Sequence, residues 1–181
     1  MEYLLIIVIA LVVMFFIKLG NTVTKVNKHW HHYFNDFTYS PQDFYQSIAS
    51  IINEKDIPGV ELKSIAYSEG GLLSANREYL RVERGEMVFD ICAAPFAKGF
   101  FVSSWQGELP QFKRYFFSSI PFVGESLDRA FFTKTYFQMD TELMFANSIH
   151  SAVLEAIKGI TDDMGIRDLT ELERQFNKIG K

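Results

Sequence analysis

The chain has 181 residues and a formal net charge of −4 at pH 7, which gives no support to a nucleic-acid-binding function, since that needs a basic face. Its single cysteine excludes an intrachain disulfide. Its 18 Phe and 8 Tyr residues are more than one core of this size is expected to absorb, so some of them should contact lipid or a partner.

The first segment of the chain is strongly apolar. Residues 3–17 contain no charge, glycine or proline, and with their flanking residues they would form a helix about 30 Å long, the thickness of a bilayer's hydrocarbon core. We therefore predict a transmembrane anchor over residues 1–20. No small-residue cleavage site follows it, which argues against a secretory signal peptide.

The charges that flank this segment predict its orientation. Lys18, Lys25 and Lys28 follow the apolar residues, whereas only Glu2 and the amino terminus precede them. Positive residues favour the cytoplasmic side of a membrane. We therefore expect a single-pass protein with its N-terminus outside and its C-terminal domain in the cytoplasm.

The next segment, residues 21–39, combines lysines with a run of aromatic and histidine side chains. Amphipathic rings sit at the headgroup level of a bilayer, and lysines reach anionic headgroups. We predict a juxtamembrane helix that lies at the membrane interface. Its expected contacts with the lipid bilayer are Lys25, Lys28, Trp30, Tyr33 and Phe34.

The histidines of this segment raise the alternative of a metal site. On a helix, His29 and His32 would stand three residues apart and could share one face. No cysteine or clustered carboxylate lies nearby in the sequence to complete a ligand shell. We therefore predict no metal and no cofactor.

Residues 40–181 are predicted to form one α+β domain. Ser40 followed by Pro41 is a typical helix start, and apolar residues at intervals of three and four predict a helix that ends near residues 56–59. Close spacing leaves no room for crossover helices between the strands that follow, so the sheet should be an antiparallel meander. The predicted strands are residues 60–68, 75–83, 87–94 and 99–105.

A second aromatic segment covers residues 109–132. Its apolar stretch is too short to span a bilayer and is broken by two serines and Pro121. Two interpretations stay open: a re-entrant or interfacial segment held at the headgroups by a basic pair, or a loop and short helix folded onto the sheet. In the first interpretation the membrane contacts are Lys113, Arg114, Tyr115, Phe116, Phe117 and Phe122.

The C-terminal part is predicted to be mostly helical. Residues 133–137 are strand-like, residues 140–160 carry the apolar stripe of a long amphipathic helix, and residues 170–176 form a short last helix. The long helix should cover the sheet. The complete fold prediction is an N-terminal transmembrane helix followed by an α+β domain, whose antiparallel meander packs against a preceding helix and a long C-terminal helix.

No sequence motif identifies an activity. We favour a non-enzymatic subunit or adaptor that binds other proteins, or copies of itself, and holds a complex at the inner face of the membrane. An alternative is a binder of lipid or another apolar ligand in a Phe-lined cavity between the sheet and the long helix. A third is an enzyme that uses Cys92, Asp90 or His150, although a cysteine in an apolar strand usually acts as a small buried hydrophobe.

Overall fold

The computed structural model describes residues 6–7, 25–68, 76–109 and 134–178 of the chain. Its fold class is α+β, as predicted, with an antiparallel sheet and two helices, of which the C-terminal one is long. In chain order the elements are β1 (Lys25–Phe34), α1 (Pro41–Glu54), β2 (Glu61–Ser68), β3 (Asn76–Arg84), β4 (Met87–Phe96), β5 (Gly99–Glu108), α2 (Tyr136–Asp163) and the two-residue β6 (Asn177–Lys178).

The sheet has the strand order β2-β3-β4-β5-β1-β6, and every neighbouring pair is antiparallel. Strands β2 to β5 form the predicted meander, in which each strand pairs with the next one along the chain. The turn between β3 and β4 needs a positive φ, which Gly85 adopts at 62° without a steric penalty. Local turn chemistry therefore accounts for this part of the sheet.

Strand β1 corrects the prediction for residues 21–39. We expected an interfacial helix, but residues 25–34 form a strand that pairs with β5 over its whole length. A strand suits this run of large rings, because successive side chains point to opposite faces of a sheet. Trp30 and Phe34 are only 1% and 6% exposed, so they belong to the core and not to a membrane interface.

Helix α1 begins as predicted. Ser40 is its N-cap, with the side-chain oxygen accepting a hydrogen bond from the backbone N–H of Asp43 (3.2 Å), and Pro41 occupies the first turn. The helix buries an apolar face at the predicted spacing. The buried residues are Phe44, Ile48 and Ile52.

Helix α2 begins earlier than predicted, because Thr135 and Gln138 form a capping box. The Thr135 hydroxyl accepts from the backbone N–H of Gln138 (3.2 Å), and the Gln138 side chain accepts from the backbone N–H of Thr135 (2.8 Å). These bonds satisfy two donors at the start of the helix, which then runs from Tyr136. The strand predicted over residues 133–137 is therefore wrong for residues 134–137.

The helix predicted over residues 170–176 is also wrong, since turns lead from α2 into β6. The Glu173 carboxylate accepts hydrogen bonds from both the backbone N–H and the hydroxyl of Thr170 (2.7 Å each), as at a helix start, but no helix follows in the described residues. The indole N–H of Trp30 donates to the backbone carbonyl of Glu173. The last described residues are thereby held against β1.

The hydrophobic core lies between one face of the sheet and the two helices. The ring centroids of Phe89 in β4 and Phe145 in α2 are 5.7 Å apart, and Ile149 is 0% exposed. Helix α2 therefore packs directly against the sheet through these side chains. We call this side the helix face of the sheet and the other side, which carries Arg81 and Asp90, the second face.

None of the described helices is long and apolar enough to cross a membrane. The predicted anchor lies outside the described residues, apart from residues 6–7, and so do residues 110–133, which contain most of the second aromatic segment. Both membrane assignments therefore stay predictions.

Candidate functional site

The pairing of β3 with β4 stops before either strand ends. It runs only as far as Leu80 opposite Ile91, although β3 begins at Asn76 and β4 continues to Phe96. Beyond that point β3 pairs only with β2, and β4 pairs only with β5, among the described strands. The sheet therefore divides at one end, and we call this division the fork.

A tyrosine of helix α1 bridges the fork. The Tyr45 hydroxyl accepts a hydrogen bond from the backbone N–H of Ala93 (2.9 Å) and donates one to the backbone carbonyl of Glu78 (2.9 Å). Continued pairing would place Glu78 and Ala93 opposite each other, so the phenol stands in for a bond of the strand ladder. Burial raises the pKa of Tyr45 well above its usual value, and the hydroxyl therefore keeps the proton that it donates.

A cleft of about 630 Å³ opens at the fork. This is within the range of volumes that ligand sites occupy. Its walls come from the start of α1, from the adjoining ends of β2 and β3, and from the end of β4. The polar and aromatic residues that line it are Gln42, Tyr45, Tyr67, Ser68, Asn76, Arg77, Glu78 and Tyr79.

Beside the cleft, the second face carries a buried ion pair. The Arg81 guanidinium donates through Nε to Asp90 Oδ1 (2.7 Å) and through Nη2 to Asp90 Oδ2 (2.8 Å). The Tyr67 hydroxyl donates to the same Oδ2 (2.8 Å) and accepts from Arg81. Arg81 is 0% and Asp90 4% exposed, so this bidentate geometry supplies the hydrogen bonds that burial of two charges requires.

Arg81 and Tyr67 keep their protons over the physiological pH range. Burial alone lowers the pKa of Arg81, but the hydrogen bonds and the charge of Asp90 outweigh burial, and the pKa is raised. Burial, followed by the charge of Asp90, also raises the pKa of Tyr67. A charged arginine and a protonated tyrosine therefore both donate hydrogen bonds to Asp90, and the network links β2, β3 and β4 beside the fork.

A smaller cavity of about 310 Å³ lies on the second face. It shares Tyr67 and Tyr79 with the fork cleft, and Val26 and Trp105 line its other side. The Tyr67 and Tyr79 rings meet edge to face, with centroids 5.1 Å apart. This pair of rings therefore lies between the fork cleft and the smaller cavity.

The groups of the enzyme hypothesis are not brought together. Cys92 is fully buried on the second face, and burial raises the pKa of its thiol, which disfavours the reactive thiolate. His150 belongs to α2, on the helix face, where its Nε2 donates to the backbone carbonyl of Arg174 (2.6 Å). Asp90 is held by Arg81. Among these three candidates, all of which are described residues, no two lie together in one cleft as a nucleophile and its base.

The strand geometry of β1 separates the histidines. His29 stacks on Trp105 on the second face, with ring centroids 5.1 Å apart, whereas His32 contacts Phe34 at 4.6 Å on the helix face. His29 and His32 therefore lie on opposite faces of the sheet and do not share the face that a helix would give them. Burial lowers the pKa of His32. Within the described ranges there is no group of three side chains placed to hold a metal ion.

The other end of the sheet, where β1 begins, has a different chemistry, and we call it the anchor end. Glu108, opposite Lys25, accepts hydrogen bonds from Asn27 (3.2 Å) and from Lys134 (3.0 Å). Lys134 also pairs with Glu142 in α2 (2.7 Å). Burial acts to raise the pKa of Glu108, but these partners outweigh it and lower the pKa. Charged contacts therefore tie the starts of β1 and α2 to the end of β5.

The five predicted membrane contacts of β1 have different environments in the structure. Lys28 lies with its amino group 5.9 Å from the ring centroid of Phe176, and the Tyr33 hydroxyl donates to the backbone carbonyl of Phe96 (2.9 Å). Lys25 is exposed at the start of β1. Trp30 and Phe34 are core residues. The predicted contacts outside the described residues are Lys18, Lys113, Arg114, Tyr115, Phe116, Phe117 and Phe122.

Comparison of the chain with protein-family models, with curated proteins and with solved structures found no match. The candidate site therefore stands on the geometry of this fold. Sequence reasoning missed the fork, because nothing marked Tyr45 apart from other helix residues beside an apolar stripe. Asp90 carried a usable signal, since a charge inside an otherwise apolar strand needs a buried partner.

Proposed function

We propose that this chain is a membrane-anchored, non-enzymatic subunit that holds a protein complex at the inner face of the membrane. The observation that carries the proposal is the contrast between the two ends of the sheet. β1 begins at the anchor end, a few residues after the predicted anchor. Leu109 and Lys134, the described residues on either side of residues 110–133, also lie at that end. The fork lies at the opposite end, away from the predicted bilayer.

The fork supports a partner-binding role. At the fork, the facing edges of β3 and β4 no longer pair with each other and are bridged by the Tyr45 hydroxyl. The backbone groups of a strand edge can bind an extended peptide segment. Arg77 and Glu78 are exposed beside the cleft and supply one charge of each sign. The expected ligand is therefore an extended segment of another protein, read through its backbone and through paired charges.

The proposal is tested by copurification of the full-length chain in mild detergent. Asn76→Arg places a long charged side chain in the cleft, and Ser50→Arg places the same side chain at an exposed position of α1. We expect the first variant to lose a partner that the second retains, while both stay in the membrane fraction. Equal recovery of the same partner with both variants would exclude the fork as the binding site.

The alternative function, binding of an apolar ligand at the membrane surface, is favoured by the smaller cavity beside Trp105. The indole is 39% exposed there, so its fluorescence should report occupancy. Addition of a long-chain fatty acid would shift the emission of the full-length chain, and Trp105→Phe would remove the shift. An emission spectrum that does not respond to the fatty acid would exclude this alternative.

A further inference from the structure

The first turns of α2 expose large apolar side chains. The buried residues of the helix begin at Phe145. Before that point, four apolar side chains are between half and almost fully exposed. They are Tyr136 (84%), Phe137 (79%), Leu143 (50%) and Met144 (61%), and we call them the α2 patch. Because helical residues seven or eight positions apart lie on the same side, Tyr136, Leu143 and Met144 form one continuous surface.

The α2 patch lies at the anchor end of the domain. Lys134, which immediately precedes the helix, binds Glu108, and Glu108 stands opposite Lys25 at the start of β1. Lys134 also binds Glu142, within the turns that carry the patch. Two ion pairs therefore fix these turns beside the point at which the chain arrives from the predicted anchor.

The connection to the predicted anchor is short. The anchor ends at residue 20 and β1 begins at Lys25, so the extended chain between these two positions covers at most about 18 Å. The anchor end must then stay close to the bilayer surface. Because the anchor holds an apolar surface of the domain close to the bilayer, the effective concentration of lipid at that surface is high. A weak interaction is then enough to keep the surface bound to the membrane.

We propose that the α2 patch docks on the headgroup layer of the bilayer beside the anchor, so that the domain is held to the membrane at two points. This inference rests on the proposed membrane anchoring. Tyrosine and phenylalanine rings are suited to the interfacial zone, and leucine and methionine add apolar contact. Asp140 is exposed among these side chains. Only the first turns of the helix therefore rest on the headgroup layer, with this carboxylate in water, and they do not enter the hydrocarbon.

The docking is tested with an environment-sensitive fluorophore on single cysteines of the full-length chain, reconstituted into phosphatidylcholine and phosphatidylglycerol vesicles. Cys92→Ala removes the single native thiol. Labels at Phe137→Cys and Met144→Cys lie in the patch. A label at Ser151→Cys lies about two turns beyond Met144 on α2, at an exposed position. We expect blue-shifted emission and quenching by headgroup-level nitroxide lipids at positions 137 and 144, but not at 151.

Flotation of the vesicles separates this inference from the proposed function. Protein that floats with the vesicles while the labels at 137 and 144 stay unquenched would overturn the docking and leave the anchoring intact. Blue-shifted labels without quenching would overturn it in favour of a protein, or a second copy of the chain, covering the patch. Protein that stays in the unbound fraction would overturn the anchoring, and the docking with it.

Discussion

The two ends of the sheet place different chemistry at the ends of the same strands. At the anchor end, ion pairs around Glu108 and Lys134 hold exposed apolar helical turns beside the start of β1. At the fork, a buried ion pair and the Tyr45 hydroxyl hold a polar cleft between strands that have stopped pairing. Strand β4 has ten residues and separates the two ends by about 33 Å. The sheet therefore keeps the proposed membrane-docking surface and the proposed partner-binding cleft apart.

The largest expected effect comes from the element that both ends share, the packed half of α2. Ile149→Asp puts a carboxyl group at a position that is 0% exposed. The domain should not fold, since the lost apolar packing and the burial of an unpaired polar group together cost several kcal/mol, out of roughly 5–15 kcal/mol that stabilise a domain. Glu155→Ala is the matched control on the exposed side, where only a salt bridge to Lys55 is lost. Circular dichroism in detergent measures both. A folded Ile149→Asp protein would contradict the assignment of this helix face to the core.

Removal of the ion pair beside the fork should have the next largest effect. Arg81→Ala leaves the buried Asp90 carboxylate without its bidentate partner, and we expect a loss of roughly 3–5 kcal/mol in the free energy of unfolding. Lys63→Ala, which removes an exposed pairing with Glu83, is the control and should cost less than about 1 kcal/mol. Denaturant unfolding followed by Trp fluorescence provides the values. Similar losses for the two variants would show that the network does not support the fork.

Strands β2 to β5 could be predicted because each decision is local: the alternation of apolar residues, the glycine turn and the short spacing all lie within a few residues. The same holds for Ser40 as a helix cap. Strand β1 could not, because its partner β5 lies more than sixty residues away and only that pairing places Trp30 in the core. The capping box of Thr135 and Gln138 is a local signal, so the start of α2 could also have been predicted from the sequence.

The candidate site was less predictable than the fold. The fork requires a side chain from α1 to reach between two strands, and no pattern within either strand announces this. The apolar residues of the α2 patch continue the composition of the buried half of the helix. Only the position of the sheet decides that Phe145 is covered and Phe137 is not.

Tyr45→Phe should have a moderate effect that is confined to the fork. It removes the hydroxyl that accepts from Ala93 and donates to Glu78, and an unsatisfied backbone group of this kind costs roughly 1–3 kcal/mol. The Ala93 amide should exchange its proton with solvent faster, and partner recovery should fall. Tyr39→Phe, which keeps the aromatic stacking of that ring on Phe37, is the control. Unchanged exchange at Ala93 would contradict the bridging role of Tyr45.

The smallest effect on stability is expected in the α2 patch. Phe137→Ser should leave the melting temperature nearly unchanged, because the ring is 79% exposed, whereas Phe145→Ala should cost roughly 3–5 kcal/mol at 2% exposure. Thermal unfolding of the two variants in the same detergent checks this. A large loss for Phe137→Ser would mean that the first turns of α2 belong to the core.

The account's central claim is that the anchor end faces the bilayer and the fork faces away from it. Fluorescent donors at Glu86→Cys and Lys98→Cys lie in the exposed turns at the two ends of β4, in a Cys92→Ala background. Energy transfer to acceptor lipids in reconstituted vesicles then ranks the two turns by their distance from the membrane. We predict strong transfer from position 86 and weak transfer from position 98. Equal transfer, or stronger transfer from position 98, would contradict the claim.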